Sequence, residues 1–305
     1  MSSPRWAFGF LISAQLLWAG NFIVGRVIST EIDPLTLSFW RWTIALACLL
    51  PFTVPALIRD WHHYRPVMGK MIILGLLSVT CFNTFLYFGL QTTTATNAAL
   101  FNSMIPVIII AVSFMVFQER IRPMQILGIA ISFCGVVTLL VRGNPENLLG
   151  LTFNSGDLFI LGAVLCWSLY SALLRWKPTG VSSFSFILLN VIIGEVVLAI
   201  LYFSGWIEAA PLEVTRNNLL AVFYAGVPVS IIAFLCWNEG VKHVGASLAG
   251  QFIHLLPVFA ATLAILLLGE QPEVYHGAGA LLIGFGVWLS VRKKREAKLL
   301  NSNEF

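Results

Sequence analysis

The sequence predicts an all-α polytopic membrane protein: ten transmembrane helices as two inverted five-helix repeats around a central cavity, with both termini cytoplasmic. Three observations carry that expectation. The composition is too apolar for a water-facing surface, uncharged runs recur at helix length, and the two halves of the chain align on each other. Of the 305 residues, 58% are hydrophobic and only 10% charged, with a mean hydropathy of +0.86. A soluble domain carries about 25% charged residues, so most of this surface has to face lipid. Backbone groups in hydrocarbon must be bonded within their own segment, which makes runs such as 104–117, 184–203 and 258–268 helices. A transmembrane barrel would alternate apolar and polar over about ten residues, and no stretch here does so.

Ten spans follow, at about 7–25, 36–56, 70–90, 97–117, 124–141, 156–174, 184–204, 217–238, 248–267 and 275–291. The first is not a cleavable signal, because no small-x-small site and mature domain follow it. With the N-terminus inside, one side receives Arg5, Arg59, Arg65, Lys70, Arg120, Arg122, Arg175, Lys177, Lys242, Arg292, Lys293, Lys294, Arg295 and Lys298. The other receives Arg26, Arg142 and Arg216, and Arg41 falls within a span. That 14-to-3 asymmetry is the positive-inside pattern, with both termini cytoplasmic. The net charge of +4 is therefore a matter of topology and points to no nucleic acid, and the run 292–298 reads as an inner-leaflet anchor. The five cysteines fall within spans without CxxC spacing and read as small packing residues.

Shifting the chain by 151 residues aligns 86–136 with 237–287 without a gap. Ten pairs are identical, among them Gly89/Gly240, Phe101/Phe252, Pro106/Pro257, Glu119/Glu270, Gly128/Gly279 and Gly135/Gly286. Near the start of each half, 16–26 answers 165–175, with Trp18/Trp167 and Arg26/Arg175 matched. Five spans per half is an odd number, so the second half enters the membrane upside down. Inverted repeats give secondary transporters two related conformations around a site at the repeat interface. The predicted organisation is a first repeat at 1–141, an outer connecting loop at 142–155, a second, inverted repeat at 156–291 and a basic tail at 292–305.

The doubled pattern Pro106-Glu119-Gly128-Gly135 and Pro257-Glu270-Gly279-Gly286 resembles the EamA-type unit of the drug/metabolite transporter superfamily over nearly the whole chain. Among its branches, the segment 16–26 and the aromatic content most resemble the YddG-type bacterial exporters of aromatic amino acids and threonine. The resemblance implies a ten-helix basket in the bacterial inner membrane, a cavity lined by helices 1, 3, 4, 6, 8 and 9, and export of small metabolites.

Polar side chains within a span mark the face turned to protein or water. Gln251 and His254, three apart in a segment uncharged from Ala246 to Gly269, share one helix face. Their repeat mates are Leu100 and Ser103, flanked by Asn97, Phe101 and Met104. Asn83 and Tyr87, Trp237 and Asn238, Trp18 and Asn21, and Trp167, Tyr170 and Ser171 complete the predicted cavity. Aromatic walls with amides, hydroxyls and one imidazole suit a zwitterionic amino acid, whose charged ends need dipoles and whose side chain needs an apolar wall. The bland alternative stays open, since an intramembrane Gln or His often only ties two helices together and a membrane Trp is often a belt residue. Asn102 lies off that face and reads as interhelical glue.

The imidazole of His254, with an ordinary pKa near 6.5, leaves protons open as a coupling partner, though no acidic residue shares its face. The buried charges Arg41 and Glu195 read as structural or gating groups, and Arg41 as free to snorkel outward. Pro106 and Pro257 read as a symmetric hinge, with a tolerated kink as the alternative. Small residues at helical spacing, Gly128, Ser132 and Gly135 with Gly277, Ala280 and Gly284, are expected to pack two helices within a single copy, a monomer. No catalytic residues, metal ligands or cofactor motif stand out, which leaves an intramembrane enzyme or a receptor as distant alternatives. A drug or sugar-phosphate carrier of the same superfamily is the nearer one, and it would show a carboxylate or a Lys/Arg cluster facing inward.

Overall fold

The computed structural model describes residues 5–28, 31–119, 121–148 and 152–292. Arg120, residues 149–151 of the connecting loop and the tail from Lys293 onward lie outside the described residues. Among the described residues all regular structure is helical. The helices are α1 (Arg5–Ile28), α2 (Pro34–Tyr64), α3 (68–92), α4 (95–117), α5 (Pro123–Leu140), α6 (Ser155–Leu173), α7 (Ser183–Phe203), α8 (Arg216–Val244), α9 (Ala246–Leu268) and α10 (Val274–Val291). By length and apolarity, nine segments among the described residues are able to cross a bilayer, one of them the 59-residue stretch Pro34–Thr92. One crossing needs about 20 residues, and this stretch folds back on itself. A 3-10 turn at Arg65–Val67, containing Pro66, parts α2 from α3, and Arg41 early in α2 bonds Asn83 and Tyr87 late in α3.

Local chemistry sets the helix ends. Asp33 caps α2, its carboxylate accepting from the backbone of Leu35 at 2.9 Å, while Pro34 occupies the first turn, where no backbone N–H is needed. Asn154 caps α6 by accepting from Gly156 at 2.8 Å, and Asp157 reaches back to the Asn154 amide at 2.7 Å.

Four helices are irregular, and the irregularities correspond under the 151-residue shift. Residues 76–81 of α3 and 225–232 of α8 widen into π-helix. Helix α4 breaks at Ser103–Met104 and restarts as Ile105–Phe117, while α9 passes through a 3-10 turn at Gln251–His254 before Leu255–Leu268. Pro106 and Pro257 therefore sit in the first turn of a restarted helix rather than inside a continuous one, and the bend precedes the proline in each case.

Helices α5 and α10 pack backbone against backbone. A Cβ on Gly128 would collide with the Gly286 carbonyl and the Ser290 hydroxyl, and one on Gly135 would lie 2.8 Å from the Gly279 carbonyl. The shift pairs Gly128 with Gly279 and Gly135 with Gly286, so the two contacts exchange under it. The expected stripe on α10 is corrected: Gly277 and Gly284 face open space, and the packing edge is Gly279, Ile283, Gly286 and Ser290. Spacing gave the period of that edge, but Gly277 starts it two residues early, about 200° around the helix from Gly279.

The described chain enters and leaves on one face. Trp6 at the start of α1 meets His243 at the end of α8 with centroids 4.3 Å apart, and Gly128 near the start of α5 abuts Ser290 near the end of α10. This is the terminal face, and the opposite one, carrying the α5–α6 connection, is the loop face. Replacing Gly128 by Leu should cost about 1–3 kcal/mol or more by overpacking. Leu at Gly284, which points into open space, should shift the melting temperature little. Thermal unfolding of the purified protein, followed by fluorescence, checks the pair.

Candidate functional site

A cavity of about 640 Å³ lies between the helices. Trp18, Asn21 and Phe22 of α1, Arg41 of α2, Asn83 of α3 and Asn102 and Ser103 of α4 line it, with Trp167, Phe234, His254 and Pro257 from α6, α8 and α9. Its rim is on the loop face, where Arg142, Gln271 and Glu273 are exposed beside Tyr275 and His276.

The deep wall is aromatic and drawn from both halves of the chain. Trp18 meets Trp167 edge-on at 5.1 Å, and Phe234 lies 5.3 Å from Trp167 and 6.1 Å from Trp18. Trp42 and Trp237 back this cluster, both fully buried. Edge-to-face aromatic pairs hold their geometry through ring quadrupoles, about 0.5–1.5 kcal/mol each beyond burial, which makes this a fixed surface.

His254 clasps the two broken helices. Its Nε2 lies 2.9 Å from the carbonyl oxygen of Ser103, its own counterpart under the shift, and its Nδ1 lies 2.6 Å from the Ser132 hydroxyl of α5. A carbonyl can only accept, so Nε2 carries the proton. Both ring nitrogens are engaged with protein, and the imidazole offers the cavity mainly its carbon edge.

Arg41, read from sequence as free to snorkel outward, is 3% exposed and lines the cavity. Its Nη1 donates to the Asn83 side-chain oxygen at 3.0 Å and to the Tyr87 hydroxyl at 2.7 Å, and its Nε and Nη2 both donate to Ser230. Glu195, also buried, does not pair with it and accepts from Thr43 between α2 and α7.

The remaining predicted residues divide. Trp18, Asn21, Asn83, Trp167, His254 and Pro257 line the cavity. Tyr87 lies behind it, orienting Arg41. Asn97 is drawn away to the loop-face end of α6, donating to Asp157 at 3.1 Å and to the Thr152 carbonyl at 3.0 Å, and Phe101 packs against Phe153. The Tyr170 hydroxyl donates to the Asn238 side-chain oxygen at 2.9 Å beneath the aromatic wall, with Trp237 and Ser171 buried beside them. Gln251, 1% exposed, is off the cavity, and no protein group pairs with its amide. A 3-10 turn keeps side chains three apart nearly eclipsed, so the break does not account for the difference. His254 reaches Ser103 and Ser132 from the cavity wall, while Gln251 is enclosed by protein. Asn102, read as glue, is on the cavity wall, and Pro106 is behind it. Sequence reasoning missed Gln15, a fully buried cavity residue three positions before Trp18 and hence on its face, and Arg41, an intramembrane charge that by itself is a site signal.

The terminal face is closed. Glu119, at the end of α4, accepts from Arg175 Nη2 at 2.7 Å, and the Arg175 guanidinium lies over the Phe117 ring. Beside it, Lys177 donates to Ser183, which in turn bonds Glu239, the partner of Lys242. Burial lowers the Lys177 pKa to about 8, with Glu239 opposing the shift. The Glu119–Arg175 pair is partly exposed, with side chains 25% and 45% accessible, and such a pair contributes about 0–1 kcal/mol. It can therefore latch the face without locking it.

A family model described as the EamA-like transporter family matches residues 5–141 and again residues 154–292. The uncharacterized transporter YyaM of Bacillus subtilis is 24% identical over 277 residues, covering 91% of this chain and 90% of that protein. An uncharacterized transporter of Archaeoglobus fulgidus is 25% identical over 297 residues, covering 94% and 97%. A WAT1-related protein of Arabidopsis thaliana is 24% identical, covering 93% and 85%. A solved crystal structure shares the fold, with a TM-score of 0.75 at 23% identity over 94% of this chain and 97% of that one.

Replacing His254 by Ala would leave the Ser103 carbonyl and the Ser132 hydroxyl without their shared partner at a buried junction. The expected loss of stability is about 1–3 kcal/mol, read as a lower melting temperature, and Ser132→Ala should cost less because the Ser103 bond survives.

Proposed function

The chain belongs to the EamA-like transporter family, and from that premise we propose that it exports small metabolites, amino acids in particular, across the bacterial inner membrane by alternating access. The observation that carries this reading is the cavity itself. It is open at the loop face and closed at the terminal face by Glu119–Arg175, with aromatic and amide walls at its depth. Aromatic amino acids and threonine are the cargo that such walls suit: rings and aliphatic groups pack on Trp18 and Trp167, and the polar ends meet the amides of Asn21 and Asn102.

In this account the protein crosses the membrane ten times, the stretch Pro34–Thr92 contributing two crossings, with both termini cytoplasmic and the loop face outside. Two inverted five-helix units account for the matched π-turns of α3 and α8, the matched breaks of α4 and α9, and the exchanging glycine contacts of α5 and α10. The bends just before Pro106 and Pro257, at Ser103–Met104 and Gln251–His254, serve as the paired hinges. Opening the terminal face parts Glu119 from Arg175. Glu270, the sequence counterpart of Glu119, lies at the loop-face rim and takes the equivalent role there. One copy suffices for this cycle.

The test is uptake of labelled threonine and tryptophan into proteoliposomes, first without a gradient and then with an imposed pH gradient. Saturable uptake several-fold above empty liposomes is the expected result, and accumulation driven by the pH gradient would identify protons as the coupling ion. Absence of flux for both solutes, in protein that melts cooperatively, would contradict the amino-acid reading and turn the search to drugs or sugar phosphates.

A further inference from the structure

Arg41 is the feature that the cavity's aromatic and amide character leaves unexplained. It is a guanidinium in the interior of a membrane protein, 3% exposed, and no carboxylate among the described residues lies within ion-pair distance of it. Every group that holds it is neutral: the Ser230 hydroxyl at 2.8 Å, the Asn83 carbonyl oxygen at 3.0 Å, the Tyr87 hydroxyl at 2.7 Å and the face of Trp42 at 5.3 Å. These contacts fix the plane of the guanidinium and leave its charge uncompensated. Buried charges are otherwise paired, and an intramembrane ionisable residue without a partner marks a ligand position.

We propose that Arg41 is the carboxylate subsite of the cavity, and that the transported solutes are recognised by a carboxylate whose charge Arg41 neutralises. The donor count fits. A guanidinium has five N–H groups; four serve Ser230, Asn83 and Tyr87, and one on Nη2 remains for a ligand beside the full charge. The geometry fits as well, because Arg41 lines the same cavity as Trp18, Trp167 and Phe234, which places a carboxylate and a hydrophobic side chain of one solute within a single chamber. Gln15, fully buried, lines that chamber with both side-chain atoms unpaired by protein and supplies an acceptor for the solute's other polar group. A purely structural tie between α2, α3 and α8 would need hydrogen bonds but no charge, and a neutral amide would make it at lower desolvation cost. One guanidinium, rather than a cluster, matches one carboxylate better than a phosphate dianion. The carboxylate subsite rests on the transport reading for its purpose, and on geometry alone for its chemistry.

Binding to the detergent-purified full chain tests it, with phenylalanine, 3-phenylpropionate and phenethylamine as probes and chloride as an inorganic control. The wild type should bind the two carboxylates at least about tenfold more tightly than the amine, the scale of one hydrogen bond to a charged group. Arg41→Gln should abolish that preference, and Arg41→Lys should retain part of it. Tyr87→Phe and Ser230→Ala, which keep the charge but loosen its plane, should weaken the carboxylates alone, and they decide the matter if Arg41→Gln does not fold. A wild type without the preference, a folded Arg41→Gln that keeps it, or an Arg41-dependent response to chloride and to no carboxylate would overturn the proposal. Flux of the same probes into proteoliposomes separates the two readings. Carboxylate preference without flux leaves the subsite standing and removes transport, and flux without preference does the reverse.

Discussion

The bond from His254 to the Ser103 carbonyl is the interaction on which the interior depends. Hydrocarbon tolerates interrupted helices only where neighbouring protein satisfies the freed backbone. Helices α4 and α9 break at corresponding places, and the break in one supplies the acceptor for the side chain at the break in the other. Ser132 adds α5 to the clasp, and α5 is bound along its length to α10 through the glycine contacts. Around this centre the interrupted helices leave a chamber rather than a packed core, and the aromatic wall of Trp18, Trp167 and Phe234 closes its depth.

The two ends of the chamber differ in the strength of what holds them. The terminal face is held by a partly exposed ion pair and a hydrogen-bonded lysine network. Contacts of this kind contribute little singly and are easily exchanged. By contrast the α5–α10 seam is backbone against backbone and cannot slide without a collision. A rigid seam, paired bends and a weak latch are the ingredients of a rocking motion in which one end opens as the other closes.

Much of this was legible in the sequence because it follows from periodicity and composition. The expected span at 124–141 is helix Pro123–Leu140, and that at 275–291 is Val274–Val291, since lipid requires unbroken apolar runs. Two of the three matched glycine pairs named from the self-alignment, Gly128/Gly279 and Gly135/Gly286, are at the α5–α10 seam. What failed to show was partner choice. Asn97 looked inward from its spacing, yet Asp157, sixty residues on, takes its amide. The Tyr170 hydroxyl is taken by the Asn238 side-chain oxygen of another helix. The same blindness hid the π-turns, to which only Pro228 gave a signal, and the 3-10 turn at Gln251–His254. Arg41 was visible as an intramembrane charge, but its place on the wall depends on Asn83, Tyr87 and Ser230, which lie 42 to 189 residues away.

The most direct measurement of the central claim, that one set of bends couples the two ends, is a pair of spin-label distances in lipid nanodiscs. One pair would join Gln91 to Gln271 at the loop face, the other Arg122 to Lys242 at the terminal face, all at exposed positions. With tryptophan added, the account predicts that the first distance shortens as the second lengthens, each with two resolved populations that change in step. Distances that stay fixed, or that lengthen together, would contradict it.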